Sequence, residues 1–275
     1  MARSGTSRKS PVGAANLDRS RWPGATRSPV GGHHRGVPVD ELRAALRARA
    51  APDAVAGMQR YFPGGVRALG VGNGEVRALA YADVRAHPGS SAELIDRAEA
   101  LLDGAEYHEE VLLAFALLHR AARRELDASF LDRSRGWLEG PVGNWAQCDD
   151  LCLKLLHPYL LGRPELVADT AAWTGSSGPW ARRASCVAVV KLAGPRSAQP
   201  LPLTDVLDRV DALLDDPDGY VQKGVGWLLK VAAQTHPDDV VDYLRARRSR
   251  LRRDTFRYAV EKLDPATRRE LMALR

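Results

Sequence analysis

The stretch from Asn144 to His157 reads as a helix, and one carboxylate stands in it where an apolar side chain would be expected. Positions 145, 149, 152 and 156 share a face at helical spacing and read Trp145, Asp149, Cys152 and Leu156. Asp149 therefore interrupts an apolar stripe directly after a tryptophan, whereas Asp150 turns towards Ala146 and Lys154. An unpartnered buried charge is costly. Asp149 is thus an ion-pair partner for a neighbouring helix, a charge near a helix start, or a carboxylate with chemistry to do.

A second anomaly lies between Asp218 and Gln234. The apolar face of that helix runs through Tyr220, Val221, Gly224, Val225, Leu228, Leu229 and Ala232. Trp227 falls off its centre, among Lys223, Lys230 and Gln234. An aromatic ring set among lysines suits stacking on a sugar or base with cations on phosphates. It equally suits a half-buried Trp flanked by solvated lysines. A third element is Trp180-Ala-Arg182-Arg183 after Gly178-Pro179, where a helix N-terminus and arginine forks together favour a phosphate. Farther on, Arg245, Arg247, Arg248, Arg250, Arg252, Arg253 and Arg257 face a single acid, Asp254, within the segment. It is the strongest basic run of the folded part and points to a polyanion.

Other motifs say less. Cys148 and Cys152 are four apart with His157 beyond them, but no further cluster completes a metal site, and small buried hydrophobes are the expectation. No phosphate-loop, nucleophile-elbow or paired-histidine zinc motif occurs. The run from Leu69 to Gly74 has the glycines of a loop that could grip DNA backbone, or of an ordinary turn.

The elements that must position these groups are helical almost throughout. Leu and Ala dominate, and no stretch alternates with period two. Helices are expected near 39–49, 51–61, 74–86, 91–103, 107–123, 127–138, 144–161, 164–172, 179–193, 202–214, 218–234, 237–248, 252–263 and 265–274. Asn144, Gly178-Pro179, Asp216-Pro217 and Pro237 punctuate them. Long helices starting near 144, 179, 219 and 252 are spaced by 35, 40 and 33 residues, each with a shorter partner behind. That is the period of two-helix solenoid repeats. The expected fold is all-α, with helical repeats stacked into a curved solenoid with a concave face.

Charge is unevenly spread. Residues 1–37 hold seven of the 40 basic side chains and one of the 34 acids, Asp18, so the remainder carries 33 of each. This Ser-, Gly-, Pro- and Arg-rich segment is expected to be a disordered basic tail, and 38–275 a single domain. The folded part is neutral, so an anion-binding face must come from segregated charge. Three cysteines make no disulfide framework and suit a reducing compartment. No apolar window approaches a membrane span, and the basic N-terminus lacks the apolar run of a secretory signal.

Four segments taken together resemble the AlkD-like family of HEAT-like-repeat alkylpurine DNA glycosylases, from about Met58 to Leu263. They are Met58 to Pro63 through Leu69-Gly-Val71 and Glu75-Val-Arg77; Asn144-Trp145 with Asp149; Trp180 to Arg183; and Gln222-Lys-Gly-Val-Gly-Trp227. The resemblance implies a right-handed solenoid with a concave DNA-binding face. It makes Asp149 the catalytic carboxylate, Trp145 and Trp227 aromatic walls around a deoxyribose, and Arg183 rather than Arg182 the phosphate arm. Arg182, Lys223, Lys230, Arg247, Arg250 and Arg253 are the further DNA-contact expectations. The family acts on cationic N3- or N7-alkylated purines without swinging the base into a pocket. The chain departs from its pattern at Gly74, where proline is common, and at Val76, where a basic residue is common. Tyr61 alone could stand for an early aromatic, and no role is assigned to it.

The expected function is therefore a monofunctional DNA glycosylase, extending to bulky adducts of a DNA-alkylating natural product as self-resistance. The expected partner is double-stranded DNA containing alkylated purines, with no cofactor, metal or membrane. A monomeric cytoplasmic protein at the nucleoid is the setting. The competing class is a non-catalytic helical-repeat scaffold for DNA or protein.

Overall fold

The computed structural model describes residues 39–121 and 126–273, and every regular element among them is helical. The basic tail and the far ends of the helices expected to reach 123 and 274 lie outside those residues. In chain order the α-helices are α1 Val39–Arg47, α2 Pro52–Gln59, α3 Asn73–Ala86, α4 Ser91–Leu102, α5 His108–Ala121, α6 Ser129–Glu139 and α7 Trp145–Leu151. They continue as α8 His157–Leu161, α9 Pro179–Val187, α10 Leu203–Leu213, α11 Gly219–Ala232, α12 Pro237–Ala246, α13 Arg253–Ala259 and α14 Pro265–Ala273. Helices α3, α5, α7, α9, α11 and α13 pack side by side in succession, with α4 on α5, α6 on α9, α10 on α9 and α11, and α12 on α11. This is the all-α helical-repeat fold that the spacing predicts.

Where the chain departs from the expected helices, local chemistry explains it. The stretch 144–161 is continuous but passes through a π turn at Cys152–Leu156, where the His157 N–H reaches back to the Cys152 carbonyl. Pro158 has no N–H to give the Lys154 carbonyl, and a wider turn absorbs the loss. After Pro164 the chain winds into two 3₁₀ segments, Pro164–Leu166 and Ala168–Gly175, instead of one α-helix. Helix α9 stops at Val187, where the Val187-Ala-Val-Val190 run is poor in helix formers, and hydrogen-bonded turns continue to Gly194.

The loop from Leu69 to Val71 does not offer its backbone to a phosphate. Its three N–H groups donate to the wholly buried Glu109 carboxylate at 2.9, 2.8 and 3.2 Å. The anion that this nest binds is the protein's own side chain. Gly70, at φ +81 and hard against the Ala51 carbonyl, makes the turn possible.

Helix α11 sits between α9 and α13, and its glycines set how close it comes. A methyl at Gly226 would lie 2.9 Å from the Thr255 carbonyl oxygen and 3.0 Å from the Tyr258 Cβ. At Gly224 the nearest atom is Arg183 Cγ at 3.4 Å. Gly226→Ala is expected to cost about 1–3 kcal/mol of stability by forcing the helices apart. Gly224→Ala makes ordinary contacts and gains alanine's helix propensity, about 1 kcal/mol. Thermal melting of the two variants should place Gly226→Ala clearly below wild type and Gly224→Ala at or above it. Equal losses would mean that the α11–α13 contact does not limit the packing.

Candidate active site

The fifth residues of α7, α9, α11 and α13 are Asp149, Arg183, Lys223 and Arg257, one from each successive helix. The first two meet. Arg183 grips Asp149 with Nε on Oδ1 and Nη2 on Oδ2, both at 2.9 Å, and gives Nη1 to the Tyr220 carbonyl at 2.6 Å. The Arg183 and Asp149 side chains are 6% and 13% exposed. Burial works against the charged guanidinium, but the hydrogen bonds and charge of Asp149 outweigh it and raise its pKa. Of the readings the sequence left open, Asp149 is the ion-pair partner of the next helix, and the pair holds its carboxylate in one orientation at a partly dry surface. The resemblance makes Arg183 a phosphate arm, whereas all three of its nitrogens are engaged within the protein. Asp150 instead pairs with Lys154 one turn along its own helix.

Behind this pair lie Cys148 and Cys152, both buried, the Cys148 thiol 3.5 Å from the Trp180 carbonyl oxygen. Burial pushes the Cys152 thiol well above its ordinary range, which suits packing and not reactivity. Among the described residues no group of three or more His, Cys, Asp or Glu is arranged to hold a metal.

Trp145 opens α7 and is half-buried. Its ring stacks on Phe62 at 5.6 Å with 24° between planes, and its indole N–H donates to the Tyr61 carbonyl at 3.1 Å. The segment after α2 therefore fixes this indole from the side. Tyr61 itself is 60% exposed, with the Arg60 guanidinium over its ring. Phe62 lies in the 58–63 segment of the resemblance, but nothing in the sequence assigns it a role of its own, because its partner lies more than eighty residues away.

Trp227 is half-buried against the core on α11. The same helix carries Tyr220, whose ring meets that of Trp180 at 5.5 Å and lies under the Lys223 ammonium at 4.9 Å. Lys230 sits over the Tyr258 ring at 3.9 Å and reaches Glu261 at 3.4 Å. Gln222, in the same motif, is a buried staple: its amide N–H groups serve the Leu213, Leu214 and Asp216 carbonyls, and its oxygen accepts from Thr255.

The remaining expected DNA contacts are mostly paired. Arg182 bonds Asp216 at 2.6 Å and the Ser176 and Ser177 carbonyls. Arg247 bonds Asp211 at 3.1 Å, and Arg250 bonds Asp215 at 2.5 Å. The basic run is therefore interleaved with carboxylates from the turn and helix one repeat earlier. Arg250 and Asp215 are exposed and Arg247 and Asp211 are each more than a third exposed, so water screens these pairs and a phosphate can compete for the arginines. Among the described residues Lys223 and Arg253 are the expected contacts with no carboxylate within ion-pair distance, and Arg253 is exposed at the start of α13.

Comparison with known proteins bears on this arrangement. The family model described as DNA alkylation repair enzyme matches residues 42–263. Two similar solved structures are a predicted DNA alkylation repair enzyme from Enterococcus faecalis and smu.31 from Streptococcus mutans UA159. The first is 16% identical at a TM-score of 0.69, covering 79% of this chain and 98% of the other. The second is 18% identical at a TM-score of 0.53, covering 76% and 98%. No curated protein matches the chain. At these identities the structures speak for the fold alone.

Proposed function

Because the chain belongs to the family of DNA alkylation repair enzymes, the AlkD-like family, we propose that it is a DNA glycosylase for cationic N3- or N7-alkylated purines. The observation that carries this is the Asp149 carboxylate, fixed by two parallel hydrogen bonds on the helix that begins with Trp145. An alkylpurine of this kind already bears positive charge, so its glycosidic bond breaks with the electron pair going to the base. The base leaves neutral and needs no strong acid. The sugar becomes an oxocarbenium ion. A carboxylate in a water-poor site stabilises that cation and takes the proton of the water that adds at the sugar carbon. The indoles of Trp145 and Trp227 present negative ring faces to the same cation, a contribution of about 0.5–2 kcal/mol per ring.

A small cleft runs between α3, α5 and α7 and is lined by Arg77, Tyr81, His119, Asp150 and Lys154, with Asp149 outside its lining. Its volume is about 50 Å³, far below the roughly 300 Å³ at which ligand pockets begin. Excision without enclosing the base is what the family resemblance implies, and such a site would tolerate a bulky substituent, including the adduct of a DNA-alkylating natural product. Lys223 and Arg253 are the cations without a competing carboxylate, and Arg247 and Arg250 are available by exchange from their acids, whereas Arg182 and Lys230 are held more deeply within the protein.

Release of free 7-methylguanine or 3-methyladenine from methylated duplex DNA tests the reading. Wild type should generate alkali-labile abasic sites, and Asp149→Asn should not. A protein that binds the DNA but frees no purine would be a helical-repeat scaffold instead.

A further inference from the structure

The start of α7 is held by three side chains that the proposed chemistry does not use. Asn144 caps the helix, its Oδ1 accepting from the Ala146 and Gln147 N–H groups, both at 3.1 Å. Its amide nitrogen lies 3.1 Å from Nδ1 of His108, which is 6% exposed. Gln147, also buried, donates to the His108 carbonyl at 3.3 Å and accepts from the Gly143 N–H at 2.8 Å. The His108 N–H donates to the Arg67 carbonyl, and its ring packs 5.5 Å from Phe62, the ring that stacks on Trp145. His108 thus touches the 61–69 segment, the start of α5 and the cap of α7 together.

The cap decides which way the amide faces. An oxygen that accepts two backbone N–H groups leaves the NH₂ end to point at His108, and NH₂ only donates. Nδ1 of His108 must therefore be the acceptor. We propose that His108 is a positioning residue: neutral and protonated on Nε2, it holds the Asn144 cap and so sets Trp145 and Asp149, and the site is assembled only in that state. The activity part of this inference rests on the glycosylase reading, and the structural part does not.

A proton on Nδ1 would face the donor end of Asn144, so the amide must turn and release the α7 cap. The charged groups around His108 are Glu109 of α5 and Asp150 of α7; the 61–69 segment brings the Phe62 ring. Burial lowers the His108 pKa from its ordinary 6.5, against the pull of Glu109 and Asp150. The unfolded chain takes up this proton first, so stability falls as pH drops below 6.5. The cap then fails as pH passes through the lower folded value.

Asn144→Asp isolates the effect. It keeps a capping oxygen and replaces the donor facing Nδ1 with an acceptor, so a protonated His108 becomes the favoured partner. In the wild type, imidazole nitrogen shifts of the labelled full chain, assigned by their loss in His108→Gln, should show Nδ1 bare and Nε2 protonated at neutral pH. Acidification should lower the protection of the Ala146 and Gln147 amides relative to their intrinsic exchange rate at each pH. Single-turnover excision, corrected for spontaneous depurination, should fall about tenfold per pH unit below the folded value. In Asn144→Asp the His108 pKa should rise above the wild-type value, and both acid effects should vanish. A wild-type His108 protonated on Nδ1, or an acid limb and amide exchange unmoved in Asn144→Asp, would overturn the proposal. Should the wild type free no purine at any pH, the glycosylase reading fails, and nitrogen shifts and amide exchange still decide the role of His108.

Discussion

Asp149→Asn is expected to slow single-turnover release of 7-methylguanine by about a hundredfold or more, while Asp150→Asn stays near wild type. The two neighbours point about 100° apart on the helix. Asp149 turns to Arg183, whereas Asp150 turns to Lys154 and the cleft with Tyr81 and His119. Asparagine keeps the shape and one acceptor, so the packing around Cys148 and Cys152 survives. What disappears is the negative charge opposite the forming oxocarbenium ion, together with the proton acceptor for the incoming water. The substitution also leaves Arg183 buried without its counter-charge, a loss of about 3 kcal/mol or more in such settings. A circular-dichroism melt must therefore accompany the kinetics, at a temperature where the variant is folded. Affinity for undamaged DNA should hold or tighten slightly, since a carboxylate repels phosphates. If Asp150→Asn abolishes release and Asp149→Asn does not, the site is misplaced; if both keep full activity, the carboxylate mechanism is wrong.

Much of the scaffold was legible because helix signals are local. Asn144 caps α7, Gly178-Pro179 opens α9 and Pro237 opens α12 as expected, while the cap of α11 is Asp218, just past the expected Asp216-Pro217. The failures were local too: Pro158 opened a π turn, and the valines after Cys186 ended a helix early. The site was legible only in parts, since its contacts cross repeats. Asp149 meets Arg183 34 residues on, Arg182 meets Asp216 at the same separation, Arg250 meets Asp215 at 35 and Arg247 meets Asp211 at 36. These separations are one repeat. A count of charge along the chain sees a basic run from Arg245 to Arg257, while the acids that answer it stand one period back on α10 and the turn after it. The same offset, applied to the fifth position of each long helix, pairs Asp149 with Arg183 by sequence position alone. His108 and Phe62 escape even that rule, because they reach α7 from segments that precede the regular repeats.

That pairing changes what loss of Arg183 should look like. Arg183→Ala is expected to reduce excision about as far as Asp149→Asn does, and the double variant should be little worse than either. The two side chains act as a unit: without the guanidinium the carboxylate keeps its charge but loses both anchors, and residues that act together are not additive. Affinity separates this from a phosphate contact. A cation released from a duplex phosphate lowers the slope of log K against log salt by about 0.9. Arg183, 5% exposed and bound through three nitrogens, should leave that slope unchanged on removal. Lys223→Ala, which removes a cation held only over the Tyr220 ring, should lower it by about one phosphate. Arg182→Ala should cost stability at the Asp216 turn and spare the chemical step. Excision by Arg183→Ala at saturating DNA is the deciding measurement. If the rate stays low there, the defect lies in the bond-breaking step, as an anchor for Asp149 requires. If saturation restores the rate and the salt slope falls by about 0.9, Arg183 leaves Asp149 to hold a phosphate when DNA binds, and the ion pair belongs to the free protein alone.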